Sequence, residues 1–322
     1  KGSAGGSSAS NSSVTAKSSA VGIEGGGGDD TIVNEGMITL LGTEDDARAT
    51  AVSVGLTVSG SLEGNAEGKA LSDASALADA GATGIRGGLG VDKITNRGAI
   101  AANVDSRATA VGVGLDVSLS LEEGGNASGA ALSDADVTAK AGATGIEGGG
   151  GGDSIDNRGD IGLTADAGAT GVSVALDVAG SMKGSAGGSS ASNSSVTAKS
   201  SAVGIEGGGG DDTITNEGSI TLMSGTGDDE TDASATAVSV GLTVTGSMEG
   251  NVAGEALSDA SALADAGATG IRGGLGMDKI TNRGAIAANI DSSTTAVGVS
   301  VDIGLTEEGN ASGAALSDAS VT

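Results

Sequence analysis

From Thr50 to Leu62 apolar and small residues alternate without a break, with Val52, Val54, Leu56 and Val58 on one side and Ala51, Ser53, Gly55, Thr57 and Ser59 on the other. Period-two alternation is the mark of a β-strand. At roughly 3.3 Å per residue this one would run about 40 Å, long for a globular domain. The run returns as Val111, Val113, Leu115, Val117 and as Val238, Val240, Leu242, Val244. A Gly64-Asn65 turn follows it, and Ala70 to Ala82 then carries Ala or Ser at every even position. Alanine favours helix, so a helix over Ala66 to Asp79 is the competing reading. Ser189 to Ser195 favours strand, because this Ser/Asn-rich version of the same stretch would make a poor helix. A face of small residues lets neighbouring sheets approach closely.

Shorter elements precede the long run. Thr31 to Val33 and Met37 to Leu41 read as short strands around a turn at Asn34-Glu35-Gly36. Gly42 to Asp46 reads as an acidic turn, and variation in unit length concentrates there, which places it in solvent.

These elements repeat. Residues 1–32 recur letter for letter at 183–214. Within that long repeat lies a unit of about 60 residues, marked by one glycine-rich stretch per unit: Gly25 to Asn34, Gly87 to Asn96, Gly148 to Asn157, Gly207 to Asn216 and Gly273 to Asn282. The chain is expected to form one continuous array with no separate globular domain: a partial unit 1–21, units of about 22–83, 84–144, 145–203 and 204–269, and a partial unit 270–322. Neither end reads as a cap, and the chain reads as a piece of something longer.

Composition narrows the architecture. There is no Phe, Tyr, Trp, Pro, Cys or His, and 62 of 322 residues are glycine, so any core is thin and built from Ile, Val, Leu, Met and Ala. A unit with such a thin Ile/Val/Leu face cannot bury much surface alone. Stacked units can, each strand pairing with its copy above and below at about 4.8 Å. The expected fold is all-β: a parallel β-solenoid, β-helix or β-roll in kind, of stacked units of about 60 residues. Two windings satisfy this, one large coil per unit or three coils of roughly 20 residues. A third arrangement is a bead-like hairpin of Thr50 to Leu62 against Lys69 to Thr83, disfavoured because an aromatic-free bead of that size is marginal.

Charge and missing residue types exclude function classes. Forty-two acidic residues against 15 basic ones give a net charge of −27, which argues against nucleic acid and anionic membranes and for cations. No apolar run approaches the roughly 18 residues of a spanning helix. Without His or Cys, the usual nucleophile and base pairings are unavailable to the many serines. The pairs Glu122-Glu123 and Glu307-Glu308 and the turns Glu44-Asp45-Asp46 and Asp228-Asp229-Glu230 read as solvated charge. An enzyme is not expected.

All five glycine stretches fit G-G-x-G-x-D-x-I-x followed by Asn. This resembles the nonapeptide of the RTX (repeats-in-toxin) family of secreted bacterial proteins, whose β-roll holds calcium between adjacent loops. The resemblance covers about 45 residues and departs from the family in having one nonapeptide per unit, never tandem copies. Carried over by position, it implies Ca²⁺ ligands at Asp30, Asp92, Asp153, Asp212 and Asp278, with carbonyls of loop glycines such as Gly25, Gly27, Gly87, Gly148, Gly207 and Gly273. A weaker resemblance, I-x-N-x-G-x-I at Ile94 to Ile100, is to the rungs of bacterial β-helical adhesins and autotransporter passengers. Together they imply an extracellular or cell-surface bacterial protein. The expected function is a structural segment of a fibre or giant adhesin stalk that self-associates along its axis or between fibres. The alternatives are a calcium-responsive secretion or folding module of a larger toxin or enzyme, and an ice- or glycan-binding surface.

Overall fold

The computed structural model describes residues 3–41, 47–223 and 233–322. The acidic turn at Gly42 to Asp46 and the pair of turns containing Glu44-Asp45-Asp46 and Asp228-Asp229-Glu230 lie outside the described residues.

Every described element is a strand, and every strand pair is parallel. One coil can be followed from Ala66. A long strand, Ala66–Leu89, ends in the glycine stretch; a short strand, Lys93–Asn96, turns the corner; a third strand, Ile100–Ser120, runs back. The next coil repeats this with Ala127–Gly150, Ser154–Asn157 and Ile161–Ser181. Like strands stack into three sheets: a long sheet of six strands, a corner sheet of five and a return sheet of eight, some coils giving the return sheet two pieces. The registers keep equivalent residues together, as in Ala4, Ala66, Ala127 and Ala186.

Each 60-residue unit is therefore one coil. The three-coil winding and the hairpin bead are both excluded, since the strand Ala47–Ser61 and the strand Ala66–Leu89, which hold the two arms of that hairpin, belong to different sheets. The helix reading of Ala66 to Asp79 also fails: Ala–Ala contacts between coils outweigh alanine's intrinsic preference.

The interior tapers. At the corner each coil contributes three isoleucines, one from each sheet: Ile85, Ile94 and Ile100, then Ile146, Ile155 and Ile161, then Ile205, Ile214 and Ile220, all buried. Along the inward face of Ile161–Ser181 the residues then shrink through Leu163, Ala165, Ala167 and Ala169 to Gly171 and Ser173. Far from the corner the two large sheets nearly touch. A Cβ on Gly114 would lie 2.6 Å from the Leu132 carbonyl oxygen, and one on Gly112 would lie 2.5 Å from that of Asp134.

This taper decides which face of the alternating strand turns inward. The small face of Ala47–Ser61, with Ala49, Ala51, Ser53, Thr57 and Ser59, is buried, and Val52, Val54, Leu56 and Val58 point out, each more than half exposed. Space decides the matter. A slip of one residue would exchange the faces, bringing branched side chains against backbone and expelling the corner isoleucines. Among the described residues no helix is long and apolar enough to cross a membrane.

Candidate functional site

Each fixed position of the glycine stretch has a structural task. Its second and fourth residues, such as Gly88 and Gly90, have φ of 117° and 123°, values that favour glycine; Gly26 and Gly28, Gly149 and Gly151, Gly208 and Gly210, and Gly274 and Gly276 repeat this. The first glycine needs its bare Cα for a different reason. A Cβ on Gly87 would lie 2.5 Å from Asp92 Oδ2, beside the Gly148 carbonyl oxygen of the next coil. Gly25 faces Asp30, Gly148 faces Asp153, Gly207 faces Asp212 and Gly273 faces Asp278 in the same way. Gly27 occupies the variable position, where Leu89 and Leu275 also fit.

The motif aspartates form a ladder. The backbone N–H of Asp30 donates to Asp92 Oδ1 at 2.8 Å, that of Asp92 to Asp153 Oδ1 at 2.8 Å, that of Asp153 to Asp212 Oδ1 at 2.7 Å and that of Asp212 to Asp278 Oδ1 at 3.0 Å. Four residues on, a second ladder runs in parallel. Nδ2 of Asn34, Asn96, Asn157 and Asn216 donates to Oδ1 of Asn96, Asn157, Asn216 and Asn282, every bond 2.7 Å long. The structure thus brings all five candidate aspartates together, one per coil on one edge of the stack.

The aspartate column is not satisfied by these bonds. Oδ2 of Asp30, Asp92, Asp153 and Asp212 is buried without a hydrogen-bond partner, a costly state for an ionised group. Burial pushes the Asp153 carboxyl up to about 6, with the charges of Asp212 and Asp92 adding and the Asp92 N–H opposing. Asp212 is raised chiefly by burial too.

This donor set has the chemistry of a calcium ligand. A free carboxylate oxygen and a glycine carbonyl from the neighbouring coil converge at the loops of Asp30, Asp92, Asp153 and Asp212, and hard cations take six to eight such oxygens. Several loop carbonyls already accept one bond: those of Leu89, Gly150, Gly209 and Leu275 accept from the N–H groups of Gly28, Gly90, Gly151 and Gly210. Among the described residues no three acidic groups surround a common point, so an ion at a loop would take its remaining ligands from carbonyl oxygens and water.

A second acidic column lies inside the slab between the two large sheets. Asp116 and Asp177 occupy successive coils in register with Thr57, Thr243 and Asp302. Both are fully buried, and neither oxygen of Asp177 has a hydrogen-bond partner. Burial pushes Asp177 up to about 7, with the charge of Asp116 adding to it, and burial raises Asp116. Room for the carboxyls comes from glycines on the long sheet: Gly129 stands against both Asp116 and Asp177, Gly68 against Asp116 and Gly188 against Asp177. Sequence reasoning missed this column. Its signal was present as acid replacing threonine in the small-residue face, matched by glycine at one register of the opposing strand.

Comparison with family models, curated proteins and solved structures gave no match.

Proposed function

We propose that the chain is a structural repeat segment of an extracellular bacterial fibre or giant adhesin stalk, stabilised by Ca²⁺ at its glycine loops. The observation that carries this reading is the asparagine ladder, unbroken through five coils at 2.7 Å per bond. A stack held by register lengthens by adding coils, each contributing about 4.8 Å. Electron microscopy of arrays with increasing numbers of coils tests it: the particle should lengthen by that increment per coil at constant cross-section. Compact particles whose shape does not follow coil number would refute it.

Calcium is supported by the buried, unpartnered Oδ2 of Asp30, Asp92, Asp153 and Asp212. In binding there it would replace the missing donors and offset part of the −27 charge. A titration calorimeter should record heat on adding Ca²⁺, and a chelator should lower the melting temperature most at low ionic strength, where repulsion is least screened. No heat and no shift would remove calcium from the account and leave the stack.

The same carboxylates favour a second reading, a calcium-responsive secretion or folding module within a larger protein. It is separated from the first by whether the chelated chain loses its fold altogether. An ice- or glycan-binding surface draws less support, because the small-residue ladder at Ala70, Ala74, Ala76, Ala78 and Ala80 faces the interior.

A further inference from the structure

The outward face of the return sheet carries four adjoining columns made solely of Val, Leu and Ile. Through the five coils they read Val52, Val111, Val172, Val238, Val297; Val54, Val113, Val174, Val240, Val299; Leu56, Leu115, Leu176, Leu242, Val301; and Val58, Val117, Val178, Val244, Ile303. No polar or charged residue interrupts these columns. Beyond them Leu119, Leu121, Met182, Met248 and Leu305 line an open apolar depression of about 470 Å³.

At about 4.8 Å per coil and 3.3 Å per residue, the four columns cover about 24 Å by about 26 Å, or roughly 600 Å². A typical monomer's largest apolar patch is about 300–600 Å². Two such faces in contact would bury about 1,200 Å² or more, and the depression adds to it, which reaches the range of specific interfaces. The outward face of the long sheet is different. It stacks Asp73, Asp134, Asn193, Asp259 and Asp318 in one column.

We infer that the return sheet docks a second copy of this chain face to face, the two stacks lying side by side and running in the same direction. The borders of the patch decide the direction. One border carries Glu122, Glu123, Glu249, Glu307 and Glu308 with Lys183, which pairs with Glu123 at 2.6 Å. The other carries Arg48 and Arg107, the latter bridged to Asp105 at 3.2 Å and Asp166 at 3.8 Å. A two-fold axis along the stack reverses the strands across the interface and sets the glutamate border over the other one, where Asp105 and Asp166 balance the arginines and no cluster of like charge opposes it. An axis along the strands would run the stacks oppositely and set the glutamates over their own copies, which like-charge repulsion opposes.

The inference deepens the array reading by naming its lateral partner. End-to-end filaments without lateral pairs would overturn the inference and leave that reading intact; lateral pairs that never lengthen into rods would do the reverse.

Sedimentation of the full chain tests it. At tens of micromolar the species should have twice the 29.8 kDa mass, and Val113→Lys with Val174→Lys should weaken association by roughly 100-fold or more, since a charge cannot be buried there without a partner. Circular dichroism and melting of the lysine variant should stay those of the monomer, and Thr138→Lys with Thr197→Lys, on the opposite face, should leave association unchanged. A cross-link tests direction, because the chain has no native cysteine. With a short bismaleimide, Val54→Cys in an end coil should cross-link to its own copy only if the stacks are parallel. A monomeric wild type, association indifferent to the lysines, cross-linking at Val174→Cys but not at Val54→Cys, or a monomer that binds neutral phosphatidylcholine vesicles through this face would each overturn the proposal.

Discussion

At the corner of each coil and in the slab beyond it, the same backbone follows opposite rules of hydropathy. At the corner, Ile146, Ile155 and Ile161 point inward and are fully buried. In the slab, Val172, Val174 and Leu176 point outward while Ser173 and Asp177 are buried. The difference is the distance between sheets. Where the corner sheet props the two large sheets apart, a branched side chain fills the space and gains its transfer energy. Where nothing props them, the sheets close until only Gly, Ala, Ser, Thr and a few acids fit. Close contact there replaces hydrophobic volume as the source of cohesion.

Replacing a large side chain at the corner breaks this comparison most severely. Ile155→Ala should cost about 2–5 kcal/mol of unfolding free energy, because isoleucines of the coils above and below hold the cavity open. Denaturant titration measures it. Adding volume in the slab comes next. Gly114→Val would press a branched side chain onto the Leu132 carbonyl, and overpacking of that kind costs roughly 1–3 kcal/mol. The same addition at an outward-facing glycine such as Gly180 should be far milder, since its closest neighbour is the flexible end of Leu119.

The most gradual expected effect is a pH slope, at most about 1.4 kcal/mol per pH unit for a single group. Asp177 is raised by burial from 3.8 to about 7 in the folded chain. A carboxyl raised on folding binds its proton more tightly in the native state, so the stability it contributes is full below about 3.8 and is lost as pH rises through about 7. Melting temperatures should therefore fall between those limits, and Asp177→Asn should flatten the fall. An unchanged slope in that variant would mean that the slab does not hold its acids as the geometry implies.

Much of the fold was legible because repetition multiplies weak signals. The five glycine stretches marked the repeat, and Ile94, Asn96 and their counterparts marked a stacked rung before any sheet was known. How many turns the chain makes per unit was not legible, since alternation over Thr50 to Leu62 reveals a strand without revealing its neighbour. The orientation of that strand was not legible for a better reason. Hydropathy alone puts Val52 and Leu56 inside, and only the opposing backbone at Leu71 and Leu132, which no local pattern reports, puts them outside. The motif aspartates were singled out by the resemblance of the glycine stretch to a calcium-binding nonapeptide, whereas Asp116 and Asp177 required knowing which strand faces which.

The asparagine ladder has a kinetic corollary. Its bonds join residues 59 to 66 apart in the chain, and an array of any length keeps that separation, because each coil meets only its neighbours. Lengthening therefore adds no topological difficulty to any single closure, although each closure is slow by the standard of local contacts. A finished coil offers its open edge as the template for the next, so growth behaves like a crystal advancing from a seed. The slow event is the first coil, which must close with nothing to copy.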